Sequence, residues 1–151
     1  MTQSLPPKSL VLYADDDQED IDLVSEAFYA YAQNVELITF PDGIELLKFI
    51  ETIDPFHVAP CLFILDINMP RLNGKETLRR LRRVDAFAEV PAVLFTTSSL
   101  PSDAVFARSL NAGFVTKPLH MDQVHLIIDQ IIDHCSDEVK RNIRKSNANG
   151  N

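Results

Sequence analysis

Four short stretches carry side chains suited to chemistry, and each begins where an apolar run stops. Asp15-Asp16-Asp17 follows Leu10-Val11-Leu12-Tyr13-Ala14, and Asp66 follows Leu62-Phe63-Ile64-Leu65. Thr96 follows Ala92-Val93-Leu94-Phe95, and Lys117 follows Gly113-Phe114-Val115-Thr116. Acids brought to one point repel one another and stay ionised together only beside a cation. An oxygen-only donor set suits Mg2+, a hard ion that binds few carboxylates and keeps waters for a phosphate. A hydroxyl and an ammonium beside it would complete a site for a phosphoryl group. Asp66 is the candidate reactive carboxylate: a stiff buried strand would aim it, and Pro70 with Asn73-Gly74 would turn the chain directly after it. On that stretch alone, a helix-capping role for Asp66 is equally open.

The elements that must position these groups alternate strand and helix five times. Apolar or β-branched runs predict strands over 9–14, 35–40, 62–65, 92–95 and 113–116. Leu62–Leu65, apolar without a break, reads as a central parallel strand buried on both faces. Helical spacing predicts a first helix over 18–33, with Ile21, Val24, Ala27, Phe28 and Tyr31 on one face. A second follows Pro41-Asp42-Gly43 with Ile44, Leu47 and Ile50 inward, and a third spans 74–84 with Leu78 and Leu81 inward. A fourth spans 101–110 with Pro101 in its first turn. The fifth spans 121–134 with Val124, Ile127, Ile128, Ile131 and Ile132 as its apolar stripe. Residues 52–60 form a longish loop. Alternation of this kind calls for a parallel sheet with right-handed crossovers and helices on both faces. All strand ends carrying the acids, Thr96 and Lys117 then lie on one rim, where open α/β sheets bind ligands. Residues 1–8 are expected to be a leader without structure, 9–135 the domain, and 136–151 the end of the last helix and a polar tail.

Composition narrows the function. A chain of 151 residues with 46% apolar content suits one domain with one ordinary core. No apolar run approaches the ~20 residues of a membrane span, and the N-terminus has no hydrophobic signal region, which points to a cytoplasmic protein without a membrane partner. Cys61 and Cys135 lack metal-ligand spacing and read as reduced thiols, and His57, His120, His125 and His134 read as surface or helix-end residues. Net charge is −8, with 12 of the 22 acidic residues but only 2 of the 14 basic ones before Cys61, a balance that argues against direct nucleic-acid binding. Lys75, Arg79, Arg80, Arg82 and Arg83 form a basic face on the third helix, read as solvated rather than as a nucleic-acid surface.

Leu65-Asp66-Ile67-Asn68-Met69-Pro70 with Gly74 resembles the phosphoacceptor motif of response regulator receiver domains, the CheY-like family of two-component systems, and Phe114-Val115-Thr116-Lys117-Pro118 resembles its lysine motif. Ala14-Asp15-Asp16-Asp17 and Phe95-Thr96-Thr97-Ser98 are similar to the Val-Glu-Asp-Asp and Leu-Thr-Thr-Ser signatures of the single-domain branch. The resemblance covers about Ser9 to His134. It implies a flavodoxin-like three-layer sandwich, with a five-stranded parallel sheet of order 2-1-3-4-5 and five helices. It implies Asp66 as phosphoacceptor and Asp16 as a direct Mg2+ ligand. Asp15 would hold the metal mainly through water, and the Asn68 main-chain carbonyl would supply a further ligand. Thr96 and Lys117 would contact phosphoryl oxygens, and Phe114 stands where the family keeps a switching aromatic. Asp17 is assigned to the start of the first helix, where an acid suits the dipole. Two departures stand out. Leu110-Asn111 replaces the usual Gly-Ala before strand five, which is expected to reshape that loop, and Thr97 replaces a small residue and would narrow water access.

The four glycines form neither phosphate-binding loop pattern, so the phosphoryl donor would be a phosphohistidine on a sensor histidine kinase or histidine phosphotransfer protein. The domain would promote only its own phosphorylation and dephosphorylation, and is not an enzyme in the usual sense. The roughly 16 residues after the fifth helix are too few for an effector domain, so output would pass to a downstream protein partner. A homodimer through helix four, strand five and helix five, or through helix one, is compatible with the fold. A Mg2+-dependent phosphatase of the haloacid dehalogenase type is a rival, but it needs a second acid where Asn68 stands. A receiver-shaped interaction module that is never phosphorylated is a second rival, disfavoured by the complete set of acids, Thr96 and Lys117.

Overall fold

Successive side chains of a strand point to opposite faces, so one buried strand can feed two cores. The computed structural model describes residues 8–145 and shows this arrangement in every inner strand. The strands are β1 (Ser9–Ala14), β2 (Val35–Phe40), β3 (Pro60–Leu65), β4 (Ala92–Thr96) and β5 (Gly113–Thr116). They pair in parallel in the order β2-β1-β3-β4-β5. Val11 and Tyr13, Leu62 and Ile64, and Val93 and Phe95 share one core with Val24 and Phe28 of α1 (Gln18–Phe28) and Ile131 and Ile132 of α5 (Ile128–Ile132). Leu12, Phe63, Leu65 and Leu94 face the other way. There they meet Leu46 and Ile50 of α2 (Gly43–Thr52), Leu78 and Leu81 of α3 (Gly74–Arg82) and Ala107 of α4 (Pro101–Ser109). The result is the expected three-layer α/β sandwich.

Side-chain caps start three of these helices. Asp17 accepts the Glu19 and Asp20 amides at α1, Asp42 the Glu45 amide at α2, and Asn73 the Glu76 amide at α3. Asp17 therefore stands at the helix start, as its position implies.

Several details depart from the sequence-based expectations. The buried stripe on α2 runs Gly43, Leu46, Ile50, with the expected Leu47 partly buried against the same core; Gly43 stands in for the expected Ile44, because its bare Cα lets the Thr77 side chain of α3 close in. The first helix ends at Phe28 and tightens into a 3-10 turn, Tyr29–Tyr31. The fifth helix is split into a 3-10 segment, Met121–Leu126, and the short α5. Side chains three apart eclipse in a 3-10 segment, so Met121 and Val124 still face the core and the apolar stripe survives the change of helix type. Asn111 takes a left-handed backbone (φ 54), which Asn tolerates without glycine, so α4 still closes with Leu110 and Asn111 amides bonded to the Ala107 and Arg108 carbonyls.

Arg82 is not part of a solvated basic face. Its guanidinium is half-buried and donates to the carbonyls of Phe87, Val90, Leu110 and Asn111, stitching α3 to the ends of two loops. Beyond the fifth helix, part of the expected polar tail is a sixth helix, α6 (Asp137–Ile143), capped by the Ser136 hydroxyl. Val139 and Ile143, four apart, turn one side of it to the α1 and α5 core, and Arg144 pairs with Asp129 and Asp133. The leader expected over 1–8 lies outside the described residues apart from Lys8, as does the tail beyond residue 145. No helix among the described residues is long and apolar enough to cross a membrane.

Docking of α6 rests on Ile143, which is 1% exposed. Ile143→Ala should therefore destabilise the protein by about 2–4 kcal/mol in urea unfolding. A loss below about 0.5 kcal/mol, the range of ordinary surface substitutions, would mean that α6 contributes no core packing.

Candidate functional site

The strand ladder continues one residue beyond the regular strands and sets the reactive groups side by side. The Asp15 amide donates to the Phe40 carbonyl, the Asp66 amide to the Ala14 carbonyl, and the Lys117 amide to the Thr96 carbonyl. Three strand ends are thus locked in register at the rim before any side chain is considered. The β3–α3 loop then turns sharply. The Gly74 amide bonds back to the Ile67 carbonyl, and a Cβ at Gly74 would collide with the Asp66 backbone. Arg71, at φ 64, reaches across from that loop to Asp42 and Glu45.

On this frame, carboxylate oxygens of Asp15, Asp16 and Asp66 all lie within 4.8 Å of one another. Asp15 and Asp66 are buried and Asp16 is exposed. Asp15 is heavily bonded: Oδ1 accepts the Asp17 amide at 3.0 Å, and Oδ2 accepts both the Tyr13 hydroxyl at 2.6 Å and Lys117 Nζ at 2.7 Å. Lys117 also donates to Asp20 Oδ2 at 2.7 Å and stands 3.4 Å from Asp66 Oδ2. Its side chain is 3% exposed. Thr96 is fully buried, and its Oγ1 accepts the Ser98 amide. Ser98 Oγ in turn donates to the buried Asp103, which pairs with Lys75. Asn68 and Thr97 are exposed at the same rim, and Phe114 is half-buried against the α2, α3 and α4 core.

The electrostatics follow from this crowding. Burial, followed by the charge of Asp15, pushes the Asp66 carboxyl up to about 6, with Lys117 opposing the rise. Burial works against the charged form of Lys117, yet its hydrogen bonds to Asp15 and Asp20 more than reverse this and hold it protonated. Burial and the Asp15 carboxylate likewise keep the Tyr13 phenol protonated, so it acts as a donor. Four acids face one ammonium, and the excess negative charge with an all-oxygen donor set fits a hard divalent cation.

The structure brings together Asp15, Asp16, Asp66 and Lys117, with Thr96 on the adjoining strand end. Two members of the network, Asp20 and Tyr13, have no counterpart in the sequence reading. Both were within reach of pattern: Tyr13 is two residues before Asp15 on the same strand, and Asp20 lies one helical turn beyond Asp16.

The fold and the rim define a class. The chain belongs to the response regulator receiver domain family, whose model matches residues 11–129, and it is a two-component signalling domain of CheY-like fold. Among individual proteins, it is 26% identical to response regulator Rcp1 of Synechocystis sp. over 132 residues, covering 85% of this chain and 89% of that one. The Mn(2+)-bound form of response regulator Rcp1 superposes with a TM-score of 0.72 at 26% identity, over 83% of this chain and 91% of that one. A phosphorylated cyanobacterial phytochrome response regulator, RcpA, shares the fold with a TM-score of 0.76 at 24% identity, over 87% and 96% of the two chains. The chain spans under half of other relatives, 42% and 45% of the probable transcriptional regulators ycf29 of Porphyra purpurea and Pyropia yezoensis.

Asp66 ionises above about pH 4 in the unfolded chain but only near pH 6 in the folded one, so between these values the folded state holds the extra proton. Stability from this group is full below about pH 4, is lost as pH rises through about 6, and does not return above it. In metal-free buffer, Asp66→Asn should be more stable than wild type at pH 8, by on the order of 1–2 kcal/mol. The gap should close toward pH 4 in urea unfolding curves; a gap independent of pH would remove the charge explanation.

Proposed function

We propose that this receiver takes a phosphoryl group from a phosphohistidine onto Asp66 in a Mg2+-dependent reaction and signals through an altered protein-binding surface. The observation that carries this reading is the buried Asp66 carboxylate, with two further carboxylates within 4.8 Å and an ammonium at 3.4 Å. In the reaction an Asp66 oxygen attacks phosphorus, the P–N bond breaks, and the imidazole leaves with that electron pair and takes up a proton. A carboxylate is a weak nucleophile, so positioning and charge neutralisation must supply the acceleration.

The residues divide that task. Asp66 is aimed by β3 and kept from turning away by the Gly74 turn. Lys117 offers an N–H to the incoming anion. The Thr96 hydroxyl, at the neighbouring strand end, is suited to bond a phosphoryl oxygen. Asp15, Asp16, Asp66 and the Asn68 carbonyl would hold the metal. When bound, Mg2+ supplies the positive charge that lets the acids and a phosphoryl dianion coexist. That Rcp1 has a Mn(2+)-bound form supports a divalent site at this rim. Movement of Thr96 toward the phosphoryl group vacates space that Phe114 can enter. Phe lacks a hydroxyl to fix that state, so the two states differ by packing alone. The donor is a sensor histidine kinase or a phosphotransfer protein, the output passes to a protein partner, and the domain works in the cytoplasm. Asn68 cannot serve as a general acid, so turnover as a dehalogenase-type phosphatase finds no group here.

With Mg2+ and a small phosphodonor, wild type should gain one base-labile phosphoryl group by intact-mass measurement, and Asp66→Ala none. Equal labelling of both would move the acceptor elsewhere. Without phosphodonor, Mg2+ at a hundredfold over its Kd should add about 2.7 kcal/mol of stability, read as a higher melting temperature. Asp16→Asn should lose most of that response. Asp17→Asn should keep it, because Asp17 caps α1 instead of facing the cluster.

A further inference from the structure

Lys117 has three N–H bonds to give, and the structure spends them unequally. Asp15 and Asp20 each receive one at 2.7 Å, whereas Asp66, the group on which an anion would sit, lies at 3.4 Å. Neither short partner is free to follow the ammonium. Asp15 is pinned by the Tyr13 hydroxyl and the Asp17 amide. Asp20 sits in the first turn of α1 with its amide in the Asp17 cap, and its side chain is only 14% exposed. Asp20 does not belong to the cluster of carboxylate oxygens that could share a metal ion, which comprises Asp15, Asp16 and Asp66 among the described residues. Its one close partner within the site is Lys117.

We propose that Asp20 is a positioning residue that holds Lys117 back from Asp66 and competes with the phosphoryl group for the same ammonium. The inference rests on the reading of Asp66 as phosphoacceptor and adds a regulator to it. In the unphosphorylated protein, Asp20 draws Nζ away from Asp66 and leaves only a long contact to the acceptor oxygen. Once an anion occupies Asp66, the third N–H of Lys117 becomes a full-strength bond to it only if Nζ moves in from 3.4 Å, which stretches one of the two 2.7 Å bonds. Asp15 remains committed to Tyr13 and the α1 amide, so the stretch falls on Asp20. A charge-assisted bond to a carboxylate is stronger than one to a neutral amide of the same shape. Asp20 therefore disfavours the occupied state, and the charge of its side chain, not its shape, is what does so.

The test is a titration of beryllofluoride, a stable mimic of the phosphoryl group, into the full chain at saturating Mg2+, read by 19F NMR. Asp20→Asn should bind it about three- to tenfold more tightly than wild type, and Asp20→Ala at least as tightly. Asp22→Asn, an exposed change of equal charge on the same helix, should leave the affinity where it is. Mg2+ affinity measured alone by melting-temperature titration should move less than twofold in Asp20→Asn, whereas a general loosening of the site would move both. Unchanged or weaker beryllofluoride binding in Asp20→Asn, or equal tightening in Asp22→Asn, overturns the role of Asp20 and leaves Asp66 as acceptor. Failure of wild type to bind beryllofluoride at all overturns both readings.

Discussion

A single buried ammonium ties the site together. Lys117 comes from the end of the edge strand β5, and its partner Asp15 from the end of β1, 102 positions earlier. Pairs of this kind add little net stability, because desolvating both charges offsets most of their attraction. What the pair fixes is geometry. With Nζ bonded to Asp15 and Asp20, β5, β1 and α1 cannot slide relative to one another without stranding a charge in a dry place. Every other feature of the rim is set against this point: the height of Asp66 beside it, the protonated Tyr13 beneath it, and the surplus of carboxylate that calls for a second cation.

Much of this was legible in the chain because it depends on short-range pattern. Uninterrupted apolar runs marked β1, β3 and β4, and the acid or hydroxyl ending each run, with the lysine directly after β5, located the rim. Features that depend on what lies across the fold were not legible. Arg82 is one of five basic residues in sequence, yet it alone meets a cluster of four carbonyls at the ends of two loops and turns inward. Val139 and Ile143 are too sparse in a polar stretch to announce a helix, and they are apolar anchors only because the core over β1 leaves a surface for them. On α2 the expected Leu47 and Ile50 do meet the core, but Gly43 takes the place expected for Ile44, since the bare Cα of a glycine counts as a contact surface that no hydropathy pattern registers. Asp20 is illegible for a related reason: a charged residue in a helix's first turn is ordinary, and only a lysine nearly a hundred positions away gives it a second meaning.

The two banks of the rim differ in how firmly they are built. On the Asp66 bank, the loop is held by the Gly74 amide, the Asn73 cap and the paired reach of Arg71 to Asp42 and Glu45, with backbone packed against backbone where Gly74 passes. On the Thr96 bank, the hydroxyl hangs on one 3.3 Å contact to the Ser98 amide, and beyond it runs a relay of side chains, Ser98 to Asp103 to Lys75. The Thr96 end of β4 is thereby wired, through Ser98 and Asp103 of α4, to Lys75 at the head of α3, one residue after the Gly74 turn that holds the Asp66 loop.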